Sequence, residues 1–359
     1  MRAILVDAPR GVPTPATVPD PVPPPHGAVV RVRATGVCRS DWHAWVGHDP
    51  TVRWPHVPGH EFAGEVVAVG GEVGGDWLGA RVTAPFCCGC GACGTCREGH
   101  THLCEREFQP GFDGWGSFAE YVAVPWADAN LARLPEALGF DEAASLGCRF
   151  MTSFHGLVDR AALRPGETVA VFGCGGVGLA AVAIAAAAGA RVVAVDLVPA
   201  KLALARELGA SLVIDASEED PLPAIAEATG GGADVTVDAL GSRATSAQGI
   251  LSLRPRGRHL QLGLLLGRDA DPPLPLQRVV RHELTVVGGH GMPASSYPRL
   301  FRFLERGRVP LGRLIGERRP LDDAGAALAA MERFAPVGVT LLHPAGPADA
   351  RSSTGRASD

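Results

Sequence analysis

Apolar β-branched residues in the first 150 positions come in short runs, Val29–Val32, Glu65–Val69 and Tyr121–Val124, each broken by Pro or Gly. That punctuation predicts an irregular, mostly-β domain with few helices. From about Glu167 the texture changes. An apolar strand, Thr168–Gly173, runs into an Ala-rich helix; a second strand, Arg191–Asp196, runs into a helix at Pro199–Gly209, and strands follow near Leu212, Val235, His259 and Leu284. Strand and helix in alternation predict a parallel sheet wrapped by helices, an α/β fold. The chain then returns to helix and short strand, and Val337–Leu342 reads as a strand able to rejoin the first domain. The expected division is residues 1–148 with 291–345 in one domain and 149–290 in the other. The small, polar stretch 346–359 is expected to be disordered.

At 359 residues the chain is long enough for about two domains, each with its own core. Its 33 basic and 38 acidic residues leave a net charge of −5, which offers no basic field to nucleic acid or to an anionic membrane, so neither is expected as a partner. The longest run of small apolar residues, Leu179–Ala188, is too short to cross a bilayer, and the expected location is the cytoplasm. Nine cysteines, an odd number and mostly bunched, point to metal ligands in a reducing compartment rather than to disulfides.

Cys90, Cys93 and Cys96 stand at two-residue gaps and Cys104 follows, so four thiolates can converge on one tetrahedral zinc inside a Gly-rich loop. A closed four-sulfur shell leaves no open position, which makes this zinc structural. Cys87 and Cys88 lie just outside the pattern and read as packed thiols. A second set is dispersed: Cys38 opens C-R-S-D-W-H, and Gly59-His60-Glu61 follows in the same domain. The third motif is Gly173-Cys174-Gly175-Gly176-Val177-Gly178, with a strand before it, a helix after it and Asp196 at the end of the next strand. That context is the dinucleotide-binding fingerprint; Asp196 is expected to bind the ribose diol and repel a 2′-phosphate, favouring NAD over NADP. Lys201, the one lysine of the chain, falls five residues later, within reach of the same ribose.

C-R-S-D-W-H, G-H-E, the four-cysteine loop, GCGGVG and LGCRFMTSFHG appear in the order and near the spacing of the zinc-dependent alcohol dehydrogenases of the medium-chain dehydrogenase/reductase superfamily, which the chain resembles from Met1 to about Leu342. The resemblance implies a GroES-like mostly-β catalytic domain and a doubly wound Rossmann domain. It implies NAD and two zinc ions per chain, the catalytic one held by Cys38, His60 and Cys148 with Glu61 as an alternate or supporting ligand. Asp41 would orient His60, Ser40 would bond the alcohol oxygen, and His43 would pass its proton outward. Thr152 would pack on the nicotinamide with Val177 behind the ring, and Phe86 would wall the substrate pocket. The implied activity is reversible oxidation of an alcohol, a small molecule, to an aldehyde or ketone. Zinc suits this chemistry because it lowers the pKa of bound water from about 15.7 to about 7, and an imidazole with a reference pKa of about 6.5 suits a relay.

A homodimer or homotetramer is implied as well, joined through the apolar strand ELTVVGG. One feature departs from the family: PVGVTLL has no basic residue for the cofactor pyrophosphate. Cys148 stands where polyol dehydrogenases use a glutamate, which favours simple alcohols. The alternatives are a polyol or amino-alcohol dehydrogenase with the same zinc chemistry, an NADPH-dependent carbonyl reductase or zinc-free quinone or enoyl reductase of the superfamily, and a zinc-ribbon binding module, which the acidic charge disfavours.

Overall fold

The computed structural model describes residues 1–307 and 309–345; the segment 346–359 expected to be disordered lies outside them. Two compact units emerge. Among the described residues the first contains Met1–Cys148, Gly291–Phe301 and the chain from Ile315 to residue 345; the second contains Arg149–His290 and Arg302–Leu314.

The first unit is built on a seven-stranded mixed sheet in the order Ile315–Pro320, Val339–His343, Ala28–Val37, Glu61–Val69, Arg81–Thr83, Ala132–Arg133, with Tyr121–Val124 also pairing Ala28–Val37. Val30, Val32, Phe62, Val66, Val82 and Val122 are buried together in one core, while Ala34, Ala63, Phe140 and Leu341 belong to another. A strand with apolar groups on both faces must be covered on both, and Ala28–Val37 is buried along most of its length. Its antiparallel pairing sets Gly36 opposite Glu61 and Thr35 opposite Phe62. Helix α1, Arg39–Trp45, follows this strand directly. The strand read at Val337–Leu342 runs from Val339 to His343 and pairs antiparallel with Ala28–Val37.

The second unit is a six-stranded parallel sheet in the order Leu212–Asp215, Arg191–Asp196, Thr168–Phe172, Ala233–Asp238, Leu253–Gln261, Thr285–Gly288. Numbered from its first strand this is 3-2-1-4-5-6, the doubly wound order, and the order reverses between Thr168–Phe172 and Ala233–Asp238, where such sheets bind ligands beyond the strand C-termini. Helix α2, Gly176–Ala187, is apolar on all sides and buried from Gly178 to Ala185. Residues 302–314 are a correction to the expected division: they pack in this unit, with Phe303 against Phe154 at 5.3 Å between ring centroids and Arg313 paired with Glu207 at 3.0 Å. Apolar contact, not sequence proximity to the first unit's strands, decides their place. No helix among the described residues is long and apolar enough to cross a membrane.

Candidate active site and metal centres

Strand register creates the first site. Because Gly36 pairs with Glu61, continuation of the ladder carries Cys38 past the strand end toward Gly59-His60. Cys38 caps α1, and its N–H donates to Asp41 Oδ2 at 2.8 Å. Asp41 Oδ1 accepts from His60 Nδ1 at 2.8 Å and from the Gly59 N–H at 3.1 Å. Cys148 arrives on a single π-helical turn, Leu146–Phe150, tied down where the Phe86 N–H donates to the Gly147 carbonyl at 3.2 Å. Such turns insert an extra residue into a helix and are frequent at functional sites.

The result is that ligand atoms of Cys38, His60, Glu61 and Cys148 all lie within 4.8 Å of one another. With Nδ1 committed to Asp41, the ligand nitrogen of His60 is Nε2, which is buried and makes no hydrogen bond of ordinary geometry. A donor set of two sulfurs, one imidazole and one carboxylate around an orphaned buried nitrogen fits a zinc ion. Burial disfavours charge on the His60 ring, but Asp41 and the Cys38 sulfur outweigh it and hold the imidazole well above the usual histidine range.

Around this cluster stand aromatic walls. Phe86 meets His60 edge-on at 6.2 Å and Phe112 at 5.5 Å. Ser40 Oγ is 3.9 Å from Cys38 Sγ. His43 Nδ1 is 3.0 Å from His48 Nδ1. Burial, then the neighbouring positive charge of Arg39 and the His48 ring, push His43 down to about 4, well below the ordinary histidine value. Its imidazole is therefore neutral near pH 7. The Arg39 guanidinium stands 3.8 and 4.0 Å from the centroids of the Trp42 and Phe334 rings and donates to the Met331 carbonyl, which ties α1 to the end of the helix Ala324–Glu332.

The second centre is local. Cys90 and Cys96 sulfurs are 4.0 Å apart, Cys93 and Cys104 sulfurs 3.8 Å. Sulfurs about 2.3 Å from a central zinc stand roughly 3.8 Å apart at the corners of a tetrahedron; these two pairs have that spacing, and all four ligand atoms lie within 4.8 Å of one another. The backbone N–H groups of Cys90 and Arg106 donate to Cys104 Sγ at 3.3 Å, and the Arg106 guanidinium donates to Cys90 Sγ at 3.2 Å. Burial raises the Cys90 thiol, yet hydrogen bonds from the backbone of Ala92 and Cys93, the Cys104 side chain and the Arg106 guanidinium bring it down to about 6. Buried Asn130 clamps the loop by exchanging two 2.9 Å bonds with the Gly89 backbone. Cys87 and Cys88 are fully buried outside both clusters, and burial pushes Cys87 up to about 12.

In the second unit the loop after Thr168–Phe172 turns at Gly173 (φ +89°) into α2. A Cβ on Gly178 would sit 1.7 Å from the Gly173 carbonyl oxygen, so only glycine allows the helix to approach the loop this closely. Asp196 Oδ2 accepts from the Cys174 N–H at 2.6 Å, and Oδ1 from Leu197 and Val198 at 2.8 and 3.0 Å. Lys201 is buried beside Cys174. Ser153 Oγ donates to the Val177 carbonyl at 2.9 Å, holding the turn that carries Thr152 against α2.

Comparison with known proteins agrees with this geometry. An alcohol dehydrogenase GroES-like domain model matches residues 24–136 and a zinc-binding dehydrogenase model residues 176–306. An alcohol dehydrogenase of Geobacillus stearothermophilus is 35% identical over 297 residues, 82% of this chain and 85% of its own length. The chain belongs to the zinc-dependent alcohol dehydrogenase family. An L-threonine 3-dehydrogenase of Bacillus velezensis is 33% identical over 90% of this chain and 93% of its own. The solved structure of an alcohol dehydrogenase from Thermus sp. ATN1 superposes with a TM-score of 0.87 at 32% identity, covering 96% of this chain and 99% of that one.

As a member of that family the protein is an oxidoreductase acting on alcohols. The fold brings Cys38, Asp41, His60, Glu61 and Cys148 together. Four contributors escaped the sequence: Phe112, His48, Arg106 and Asn130. Arg106, two residues past Cys104, carried the clearest signal, since a cation beside a thiolate cluster lowers its energy. Phe112 carried none.

Proposed function

We propose that the protein oxidises a simple alcohol to its aldehyde or ketone, reversibly and with NAD, and that it binds one catalytic and one structural zinc per chain. The observation that carries the catalytic assignment is the orphaned Nε2 of His60, fixed by Asp41 and surrounded by the sulfurs of Cys38 and Cys148. Cys38, His60 and Cys148 would hold the metal, with the Glu61 carboxylate as alternate ligand. Zinc bound there supplies a Lewis acid that makes an alcohol hydroxyl acidic near neutral pH. NAD supplies the hydride acceptor.

The remaining work falls to the chain. Ser40 accepts the hydroxyl proton by hydrogen bonding and hands it to the neutral His43. Phe86 and Phe112 form the apolar wall that excludes water from the metal cluster. Backbone N–H groups at the start of α2 receive the pyrophosphate, a role that weighs more here because the last strand, Val339–His343, carries no arginine or lysine. Asp196 and Lys201 bind the adenosine ribose, the carboxylate disfavouring NADP, while Thr152 and Val177 pack on the nicotinamide. Association into a homodimer or homotetramer is supported by Thr285–Gly288, an edge strand of the parallel sheet with Val286 exposed, which can pair with a second copy across a two-fold axis.

The threonine dehydrogenase kinship supports an amino-alcohol or polyol substrate as the second reading. One experiment tests both: NAD reduction followed across aliphatic, benzylic and secondary alcohols, sorbitol and threonine, with and without a zinc chelator. Chelator-sensitive turnover of simple alcohols is expected. Turnover confined to sorbitol or threonine would select the second reading, and chelator-insensitive turnover would sink the zinc assignment.

A further inference from the structure

Helix α1 ends in a tight reversal. Gly47 adopts φ +81°, the His48 N–H donates back to the His43 carbonyl at 2.9 Å, and the Gly47 N–H to the Ala44 carbonyl at 3.0 Å. These are the paired bonds of a glycine-terminated helix, and the left-handed residue they need is one that glycine adopts without strain. The reversal lays exposed His48 against His43, Nδ1 to Nδ1 at 3.0 Å with centroids 5.3 Å apart. The Trp42 ring meets both edge-on, at 5.0 and 5.5 Å.

Two neutral imidazoles in this arrangement share a proton, one Nδ1 donating and the other accepting. With His43 pushed down to about 4 by burial and by Arg39, His48 and, in the opposite sense, Cys38, only about one ring in a thousand is doubly protonated near pH 7. A proton that had to rest on His43 until water reached it would be poorly held. A ring already bonded to a second, exposed imidazole need not hold it.

We propose that His48 is the outer station of the proton path, so that the proton released by each oxidised alcohol leaves through the His43–His48 pair. This rests on the reading of Ser40 and His43 above. In the starting pair His43 carries its hydrogen on Nδ1 and His48 on Nε2. A proton arriving at His43 Nε2 forms one N–H bond there as the Nδ1–H bond breaks; His48 Nδ1 takes that proton as its own Nε2–H passes to water. Both rings end neutral with exchanged tautomers, nothing is oxidised or reduced, and proton exchange with solvent restores the start. His48 acts through His43 and touches no substrate.

The test uses the zinc-loaded enzyme with NAD and its best alcohol in dilute buffer near pH 6. His48→Ala and His48→Gln are expected to turn over roughly tenfold more slowly, short of the ~10²–10⁴ that a directly acting base contributes. KM for the alcohol should hold, and added imidazole should restore the His48→Ala rate. Three results would overturn the proposal: variants that match the wild type at every buffer concentration while His43→Ala is slow, a slow His48→Ala that imidazole does not rescue, or a His43→Ala indistinguishable from the wild type. Failure of the wild-type enzyme itself to oxidise any alcohol would remove the underlying reading, and the relay with it.

Discussion

Asp41 and His60 meet at 2.8 Å with both side chains fully buried, and the same carboxylate accepts from the backbone of Cys38 and of Gly59. One acidic residue therefore holds the orientation of the histidine, the cap of α1 and the backbone at Gly59. The pair leaves the buried Nε2 without a hydrogen bond of ordinary geometry, in the cluster with the Cys38 and Cys148 sulfurs.

Asp41→Asn keeps the shape but not the charge, and its amide can turn a donor toward His60. It should weaken zinc at the catalytic site about 10- to 100-fold, the range for lost supporting ligands. Chelator competition will show one of two metals lost early. Equal retention of both would contradict the assigned role.

Cys93→Ser opens the four-sulfur shell without touching the other cluster. Metal analysis should fall from about two zinc ions to about one per chain, with a lower melting temperature because binding energy at a closed site is folding energy. Unchanged metal content would mean that the loop holds no ion.

Asp196→Ala removes both the carboxylate and the anchor of the Cys174 N–H. NAD affinity should drop by about 1–3 kcal/mol, the cost of losing a charged hydrogen-bond partner, while NADP gains relative to it as the repulsion disappears. Titration of protein fluorescence with both reduced cofactors checks this. An unchanged ratio would take Asp196 out of the ribose site.

His56 is buried and pushed down to about 4, chiefly by burial, with the Gly111 backbone and Asp41 opposing. Unfolded, it takes up a proton near 6.5, so between about pH 4 and 6.5 the unfolded chain binds more protons and stability rises with pH. The contribution is on the order of 3 kcal/mol across that window, at about 1.36 kcal/mol per unit. Urea unfolding at several pH values should show a shallower rise for His56→Gln than for the wild type; parallel curves would refute it.

What was legible in the sequence follows distance along the chain. The four cysteines of the structural centre span residues 90–104, so spacing alone brings them within reach of one metal. GCGGVG was equally plain, because strand, turn and helix are consecutive and the glycines answer to local backbone needs. Cys38, His60 and Cys148 come together in the sequence only through the family pattern; Cys148 lies 148 − 60 = 88 positions beyond His60, and nothing local joins them.

Tertiary structure decided the rest. The register of Gly36 on Glu61 aligns the first two ligand segments, and the Phe86–Gly147 bond brings the third. The lowered pKa of His43 comes from burial, a property of the packed molecule, and residues 302–314 belong to the second unit, where Phe303 packs on Phe154. Covalent neighbours and short turns are written in the order of residues. Desolvation, sheet register and long-range packing exist only once the chain has folded, and they set the charge state and geometry with which the site works.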